Sequence, residues 1–159
     1  MKIDIHAVGR MKAGPEKDLA ARYLDRFARS GAAIGLDFTG VTEIAESRAT
    51  QAADRMREEA QRLAAIADAG GLILLDERGV NLSSPKFAER IALMRDGGTR
   101  HASFAIGGPD GHDPALRGKA ALLWSFGALT WPHQLVRIML AEQLYRAVTI
   151  LSGHPYHRV

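Results

Sequence analysis

The chain has 159 residues, of which 47% are hydrophobic and 25% are charged, and its formal net charge at pH 7 is +3. That length and composition are typical of one folded domain, which we assign to residues 1–159, and they argue against a disordered chain. The chain has no cysteine, which excludes disulfides, thiolate metal sites and a cysteine nucleophile. It shows neither a signal peptide nor an apolar run long enough to span a membrane. We therefore expect a cytoplasmic protein.

The first half of the chain predicts two strands and two helices. Lys2–Val8 alternates with period two, which indicates a strand. A helix opens at Gly14-Pro15, with the proline in its first turn, and ends at Ser30-Gly31. The next helix begins near Thr50 and is stopped by Gly70-Gly71. Between the two helices, alternating apolar residues predict the second strand, at Ile34, Leu36 and Phe38.

The second half predicts three short strands, at Leu72–Leu75, Ser103–Ile106 and Trp124–Phe126. Three helices are expected to start at a proline, at Ser84-Pro85, Asp113-Pro114 and Pro132. The first of these is expected to end at Gly97-Gly98. Because strands and helices alternate with short connections, the chain predicts an α/β fold with a mostly parallel sheet flanked by helices.

The last helix is apolar over most of its circumference. Its apolar side chains do not form one stripe, and they are Leu135, Val136, Ile138, Met139, Leu140, Leu144, Val148 and Leu151. In a small domain one face of such a helix can pack on the sheet, and burial of another face requires a further surface. We therefore expect a homodimer in which this helix packs on a second copy of the chain.

Three segments that follow apolar strands predict a ligand site. They are Asp76–Gly79, Gly107–Gly111 and Gly127–Pro132, and in parallel α/β sheets ligands bind beyond the carboxyl ends of the strands. Closely spaced glycines let backbone amides approach a ligand, although Gly-Gly-Pro also occurs in ordinary tight turns. The sequence lacks the glycine patterns of dinucleotide and triphosphate sites and the Gly-x-Ser-x-Gly pattern of hydrolases.

The C-terminal region carries the candidate catalytic residues. His133 lies at the start of the last helix, where the helix dipole disfavours imidazolium, so the ring could accept a proton or simply cap the helix. Arg137 follows one turn later and would suit an anionic substrate. Tyr156, His157 and Arg158 form an aromatic and ionisable tail, which we expect to dock on a partner subunit or over a site, because ordinary termini fray.

Charge and histidine spacing bear on the possible partners. From Lys119 onward the chain has four basic residues and one acidic residue, which indicates either a mildly basic surface or a face that contacts a polyanion. Trp131 and Tyr156 could stack on a base, although single aromatic residues are more often part of a core. The six histidines lack metal-ligand spacing, so we expect no metal site.

Several segments together resemble one family and occur in its order along the whole chain. These segments are Ala7–Gly9, Leu75–Gly79, Ile106–Gly111, Ala128–Arg137, Glu142–Ala147 and Pro155–Arg158. The C-terminal segments are the most specific of them. On these residues the chain resembles the RlmH family of SPOUT-class (α/β-knot) methyltransferases, which methylate N3 of a pseudouridine in bacterial 23S ribosomal RNA.

This resemblance implies S-adenosylmethionine bound in a C-terminal trefoil knot, a homodimer, and the assembled ribosome as substrate. By position, the family's cofactor contacts fall on Leu75, Gly108, Gly127, Ala128, Leu129, Thr130, Trp131 and Pro132. The family often has serine where this chain has Gly127, so a backbone contact without a side-chain hydroxyl is expected there.

Methyl transfer to an imide nitrogen requires that the N–H lose its proton. The base could be His133, Tyr156, His157 or a water, and Arg137 and Arg158 could stabilise the imidate or bind phosphate. Two alternatives remain open: a non-catalytic ribosome-binding or assembly factor, and a SPOUT methyltransferase acting on tRNA. The latter enzymes often add an RNA-binding domain, for which this chain has no room.

Overall fold

Strands and helices alternate along the chain to form an α/β fold. The computed structural model describes residues 1–158. In that part of the chain the strands are β1 (Lys2–Val8), β2 (Asp37–Ile44), β3 (Leu72–Asn81), β4 (His101–Ile106) and β5 (Leu122–Ser125). The α-helices are α1 (Pro15–Gly31), α2 (Ala52–Ile66), α3 (Ser84–Asp96), α4 (Pro114–Arg117) and α5 (His133–Leu151). No helix within residues 1–158 is long and apolar enough to cross a membrane.

The strands form one sheet in the order β2-β1-β4-β3-β5. Every neighbouring pair is parallel, with β2 and β5 at the edges. Because parallel strands point the same way, their carboxyl ends and the segments that follow them meet at one edge of the sheet. The predicted parallel sheet flanked by helices is confirmed, and the trefoil knot stays a prediction.

β2 differs from its sequence-based expectation. It begins at Asp37 and not at Ile34, because Ala32–Ile34 form a 3-10 turn that ends at Gly35 in a left-handed conformation with a φ of +74°. The strand then continues through polar residues to Ile44 and pairs with β1. As a partly exposed edge strand it has too few apolar side chains to mark its full length in the sequence.

β3 is longer than expected and contains a segment that the sequence predicts as a loop. It continues past Leu75 to Asn81, so Asp76–Gly79 belongs to the strand. After Leu75 the strand leaves β4 and, following a shift of register, its last residues pair with β5. Gly79 permits the close approach of the two backbones, because a Cβ there would lie 2.5 Å from the carbonyl carbon of Leu123.

Apolar side chains cover both faces of the sheet. On one face the strands pack against α1, α3 and α5, and there Phe87 stacks on Trp124 with the ring centroids 3.9 Å apart. On the other face α2 and α4 contribute Leu63 and Leu116 to a smaller cluster. Burial on both faces explains why β3 begins as the continuous apolar run Leu72–Leu75.

The last helix, α5, is buried on the side that faces the core and partly exposed on the other. Leu140 is fully buried within its own chain, whereas Leu135 is 40% exposed and Met139 is half-buried. Leu135, Met139, Glu142 and Arg146 are three or four residues apart and form what we call the outer face of α5. This outer face is therefore a partly exposed apolar surface on which a second copy of the chain could pack.

One acidic side chain of α2 is buried. Glu59 is 3% exposed, and its Oε1 accepts the N–H of Ser47 at 2.9 Å, while its Oε2 has no hydrogen-bond partner within residues 1–158. Burial raises the pKa of Glu59, the negative charges of Asp110 and Glu46 add to this effect, and the Ser47 amide and Arg62 offset it only in part.

The substitution Glu59→Gln should make stability less dependent on pH. Because the pKa of Glu59 is raised in the folded protein, the folded state keeps this proton at pH values where the unfolded chain has already lost it. The stability of the wild type therefore falls as the pH rises from the ordinary pKa of 4.5 through the raised pKa of the folded state. Glutamine keeps the Oε1 acceptor and has no proton to lose. Relative to wild type, the variant should therefore become progressively more stable as the pH rises from about 4 to about 8.

Thermal unfolding followed by circular dichroism at both pH values measures this gain. Glu89→Gln, which removes an exposed glutamate on α3, is the matched control. A difference between Glu59→Gln and wild type that stays constant with pH would contradict the burial argument.

Candidate functional site

A cleft of about 230 Å³ lies at the carboxyl edge of the sheet. Its walls come from the middle of β3 (75–78), the turn after β4 (106–111) and the segment at and after β5 (124–127 and 129–131), and His133 and Val136 of α5 close one side. The three segments predicted to form a ligand site therefore meet in one place, although the first of them is strand and not loop.

Most of the positions predicted to contact the cofactor line this cleft. They are Leu75, Gly108, Gly127, Leu129, Thr130 and Trp131. Ala128 and Pro132 belong to the same segment but do not line the cleft, and of the predicted catalytic residues within 1–158 His133 alone lines it. The contacts of all these residues with a cofactor or substrate stay predictions.

The glycine turn (Gly107–Gly111) owes its shape to its glycines. The N–H of Gly111 donates to the carbonyl of Gly108 at 2.9 Å, and Gly111 has a left-handed φ of +81°. A Cβ on Gly108 would lie 2.5 Å from the Oε2 of Glu59, which approaches from α2. The lack of a side chain at Gly108 thus makes space for Glu59. Position 108 therefore requires glycine for a reason that does not depend on any ligand.

Ser125, the last residue of β5, shapes the segment that follows. Its hydroxyl donates to the carbonyl of Gly127 at 2.9 Å and accepts the N–H of the same residue at 3.1 Å. Gly127 has a φ of +114°, which residues with a side chain rarely adopt. Leu129 lies beyond this turn and is 67% exposed at the cleft. No motif marked Ser125, whose only sequence signal is its position within the short predicted strand 124–126.

The cleft combines aromatic and apolar walls with polar backbone. Trp124 and Phe126 supply aromatic surface, and the indole N–H of Trp131 is buried without an acceptor within residues 1–158. Such a site suits a ligand that has a flat ring and several hydrogen-bonding groups. A nucleoside-containing cofactor has this chemistry, so the residues present fit the S-adenosylmethionine that the family resemblance implies.

The wall contributed by β3 contains a carboxylate that the sequence did not single out. Asp76 accepts the N–H of Arg78 at 2.9 Å and pairs with Arg117 of α4 at 3.4 Å. Nearby, His112 is buried, and burial lowers its pKa, so the ring is neutral at pH 7. Asp76 is thus held in place as part of the wall of the cleft, whereas His112 does not line it.

Arg137 points to the first two strands and not into the cleft. Its Nη2 donates to the carbonyl oxygens of Val8 at 3.1 Å and Gly9 at 2.5 Å, and its Nη1 pairs with Glu43 of β2. Burial tends to raise the pKa of Glu43, but hydrogen bonds from the Met11 N–H and from Arg137 lower it below its ordinary value. Arg137 is itself 7% exposed, so its guanidinium joins α5 to the sheet.

The C-terminal tail (Pro155–Arg158) packs on α5 of its own chain, outside the lining of the cleft. The hydroxyl of Tyr156 donates to Oε1 of Glu142 at 3.0 Å, and the guanidinium of Arg146 lies 4.9 Å from the centroid of the Tyr156 ring. His157 Nδ1 lies 3.3 Å from Arg146 Nη1. Burial and hydrogen bonding raise the pKa of Tyr156, which disfavours its phenolate as a proton acceptor.

Ion pairs reduce the basic C-terminal surface that the sequence indicates. Arg137 and Arg146 pair with glutamates of β2 and α5, which leaves Lys119 and Arg158 as the basic residues of this region without an ion pair among residues 1–158. In the same part of the chain, no group of three or more His, Asp or Glu side chains is arranged to hold a metal ion.

Comparison with known proteins places the chain in a family. Residues 1–157 match the family model described as "Predicted SPOUT methyltransferase". The chain is 65% identical over 159 residues to the ribosomal RNA large subunit methyltransferase H of Mesorhizobium japonicum, with 99% of each chain covered. It is 64% identical over 158 residues to the protein of the same name from Chelativorans sp., with 99% of this chain and 91% of that one covered. The relative from Brucella anthropi is 60% identical over 159 residues, with 99% of each covered. The chain therefore belongs to the SPOUT methyltransferase family.

Proposed function

We propose that this protein transfers a methyl group from S-adenosylmethionine to N3 of a pseudouridine in 23S ribosomal RNA, on the assembled ribosome. The cleft carries the proposal, because three segments at the carboxyl ends of parallel strands enclose a space whose chemistry fits a nucleoside-containing cofactor. Family membership supports methyl transfer, and the names of relatives that are 60% and 65% identical support ribosomal RNA as the substrate. The pseudouridine position rests on the family resemblance.

The chain's own residues would bind and orient the reactants. Bound S-adenosylmethionine supplies an already activated methyl group, so catalysis depends mainly on holding the reacting groups in line. The glycine turn would bind the cofactor through its backbone, and Trp131 would donate its free indole N–H. Trp124, fixed by its stacking on Phe87, forms a rigid wall that excludes water.

The imide N–H of the target base must also lose its proton. His133 is our candidate acceptor, because it lines the cleft from the first turn of α5. Tyr156, with its raised pKa, is better suited to donate a hydrogen bond. Arg158 is exposed and has no ion pair among residues 1–158, so we assign it, together with His157, to contact with the RNA.

In a homodimer, the C-terminal tail of one subunit could reach the cleft of the other. The tail packs beside Glu142 and Arg146, on the outer face of α5, where Leu135 and Met139 are also partly exposed. A second copy packed on this face would bury these apolar side chains and lie beside the tail. We propose that the tail of each subunit completes the cleft of its partner.

The substitution Thr130→Trp should weaken binding of S-adenosylmethionine at least about tenfold. Thr130 is exposed and lines the cleft, so a bulky side chain would fill the cleft without disturbing the core. Ala121→Trp, at an exposed position beside the opposite end of β5, is the matched control. Isothermal titration of both variants and the wild type measures the effect, and wild-type affinity in Thr130→Trp would show that the cofactor binds elsewhere.

The substitution Met139→Glu should separate the dimer into monomers. A glutamate on the outer face of α5 would place an unpaired charge in the proposed interface. Leu93→Glu serves as the control, because Leu93 is an exposed apolar residue on α3. Sedimentation velocity measures the mass of each, and a Met139→Glu variant that remains dimeric would move the interface away from this face.

Replacing His157 and Arg158 together by alanine should lower methylation of ribosomes by orders of magnitude while leaving cofactor affinity unchanged. These residues lie outside the cleft of their own chain, so their loss should affect the RNA step. Lys119→Ala removes the other basic residue of the C-terminal region without an ion pair among residues 1–158, at an exposed position outside the tail, and is the control. Cofactor titration, melting temperature and methyl incorporation are measured on the same samples. Activity that falls only in proportion to the folded fraction would indicate a purely structural tail.

A further inference from the structure

The glycine turn is supported from behind by α2, a helix that contributes no residue to the lining of the cleft. Arg55 and Glu59 are four residues apart on α2, so they lie on the same side of the helix. Arg55 contacts the tip of the glycine turn, at Asp110, and Glu59 contacts its first half, at Gly108.

Arg55 holds the tip of the turn in a fixed geometry. Its Nε and Nη2 donate to the two carboxylate oxygens of Asp110, at 2.7 and 3.0 Å. Its Nη1 donates to the carbonyl oxygens of Ala49 and Thr50, at 3.0 and 2.9 Å. A guanidinium with partners on both sides has little freedom to rotate, and paired hydrogen bonds to a carboxylate add directional specificity. Arg55 therefore ties the turn to the segment that enters α2.

Glu59 limits how far the turn can move towards α2. Its carboxyl group is anchored by the Ser47 N–H at 2.9 Å and lies where a side chain on Gly108 would otherwise be, 2.5 Å from the Cβ position. Because Glu59 is 3% exposed, the surrounding residues restrict its movement. The backbone of Gly108 is thus in direct contact with a fixed side chain on the face turned to α2.

We infer that Arg55 and Glu59 are positioning residues for the cofactor, which hold the glycine turn in the conformation that S-adenosylmethionine binding requires. The inference rests on the proposed function, since it concerns the same cleft. It gives two residues of the turn specific tasks: Gly108 makes room for Glu59, and Asp110 accepts the paired hydrogen bonds of Arg55. Neither Arg55 nor Glu59 lines the cleft, so both would act through the turn.

The substitution Arg55→Lys tests the first contact. Lysine keeps the positive charge but cannot form the paired hydrogen bonds, so the Kd for S-adenosylmethionine should rise about tenfold or more. At saturating cofactor, kcat should stay within about twofold of wild type, because no reacting group is altered. Arg57→Lys is the matched control, since Arg57 lies on the same helix and pairs with Asp54, one turn away.

The double variant Arg55→Lys with Asp110→Asn should bind the cofactor no more weakly than the weaker single variant, because both changes remove one interaction. The affinities come from isothermal titration, and melting temperatures close to wild type would show that folding is intact. Additive losses, wild-type affinity in Arg55→Lys, or an equal loss in Arg57→Lys would overturn the role of Arg55. A wild-type protein that does not bind S-adenosylmethionine would instead contradict the proposed function.

A pair of substitutions tests the contact of Glu59. Gly108→Ala should weaken cofactor binding, because the new methyl group meets the Glu59 carboxyl. Adding Glu59→Asp, which shortens the carboxylate side chain by one methylene, should restore part of the affinity. If Gly108→Ala is equally weak with and without Glu59→Asp, the requirement for glycine comes from the ligand side, and Glu59 is not a positioning residue.

Discussion

The buried guanidinium of Arg137 links the last helix to the beginning of the chain. Its partners are Glu43 and the carbonyl oxygens of Val8 and Gly9, so one side chain of α5 contacts the ends of both β1 and β2. Glu43 is partly exposed to solvent, but removing it would leave the buried Arg137 guanidinium with only its two carbonyl acceptors, and an uncompensated buried charge destabilises a fold. Since His133 lies one turn before Arg137, this contact also fixes the part of α5 that lines the cleft.

Two helices thus hold the cleft from opposite directions. α5 is anchored through Arg137, and α2 supports the glycine turn through Arg55 and Glu59. Between them, the parallel order of the sheet brings the ends of β3, β4 and β5 together. A cleft built on anchored helices and strand ends suits a reaction in which the protein must mainly orient its reactants.

The sequence predicts features that depend on neighbouring residues and misses those that depend on distant ones. Lys2–Val8 alternates along its length, so its strand bounds are confirmed. The extension of β3 beyond Leu75 leaves no local pattern, because it depends on the pairing of Val80 and Asn81 with β5, and residues 76–79 between them have no partner in the register. Glu43 is likewise unmarked, because its partner Arg137 is 94 residues away. The sequence therefore indicates Arg137 only as a residue for substrate binding, which stays a prediction, and gives no sign of its contacts with the ends of β1 and β2.

The most direct measurement combines methyl transfer with identification of the product nucleoside. Ribosomes from a strain that lacks this gene would be incubated with the protein and labelled S-adenosylmethionine, and the RNA nucleosides would be separated and analysed by mass spectrometry. The account predicts that the label appears in 23S ribosomal RNA as N3-methylpseudouridine. Ribosomal RNA without label, or label confined to tRNA or to another nucleoside, would contradict it.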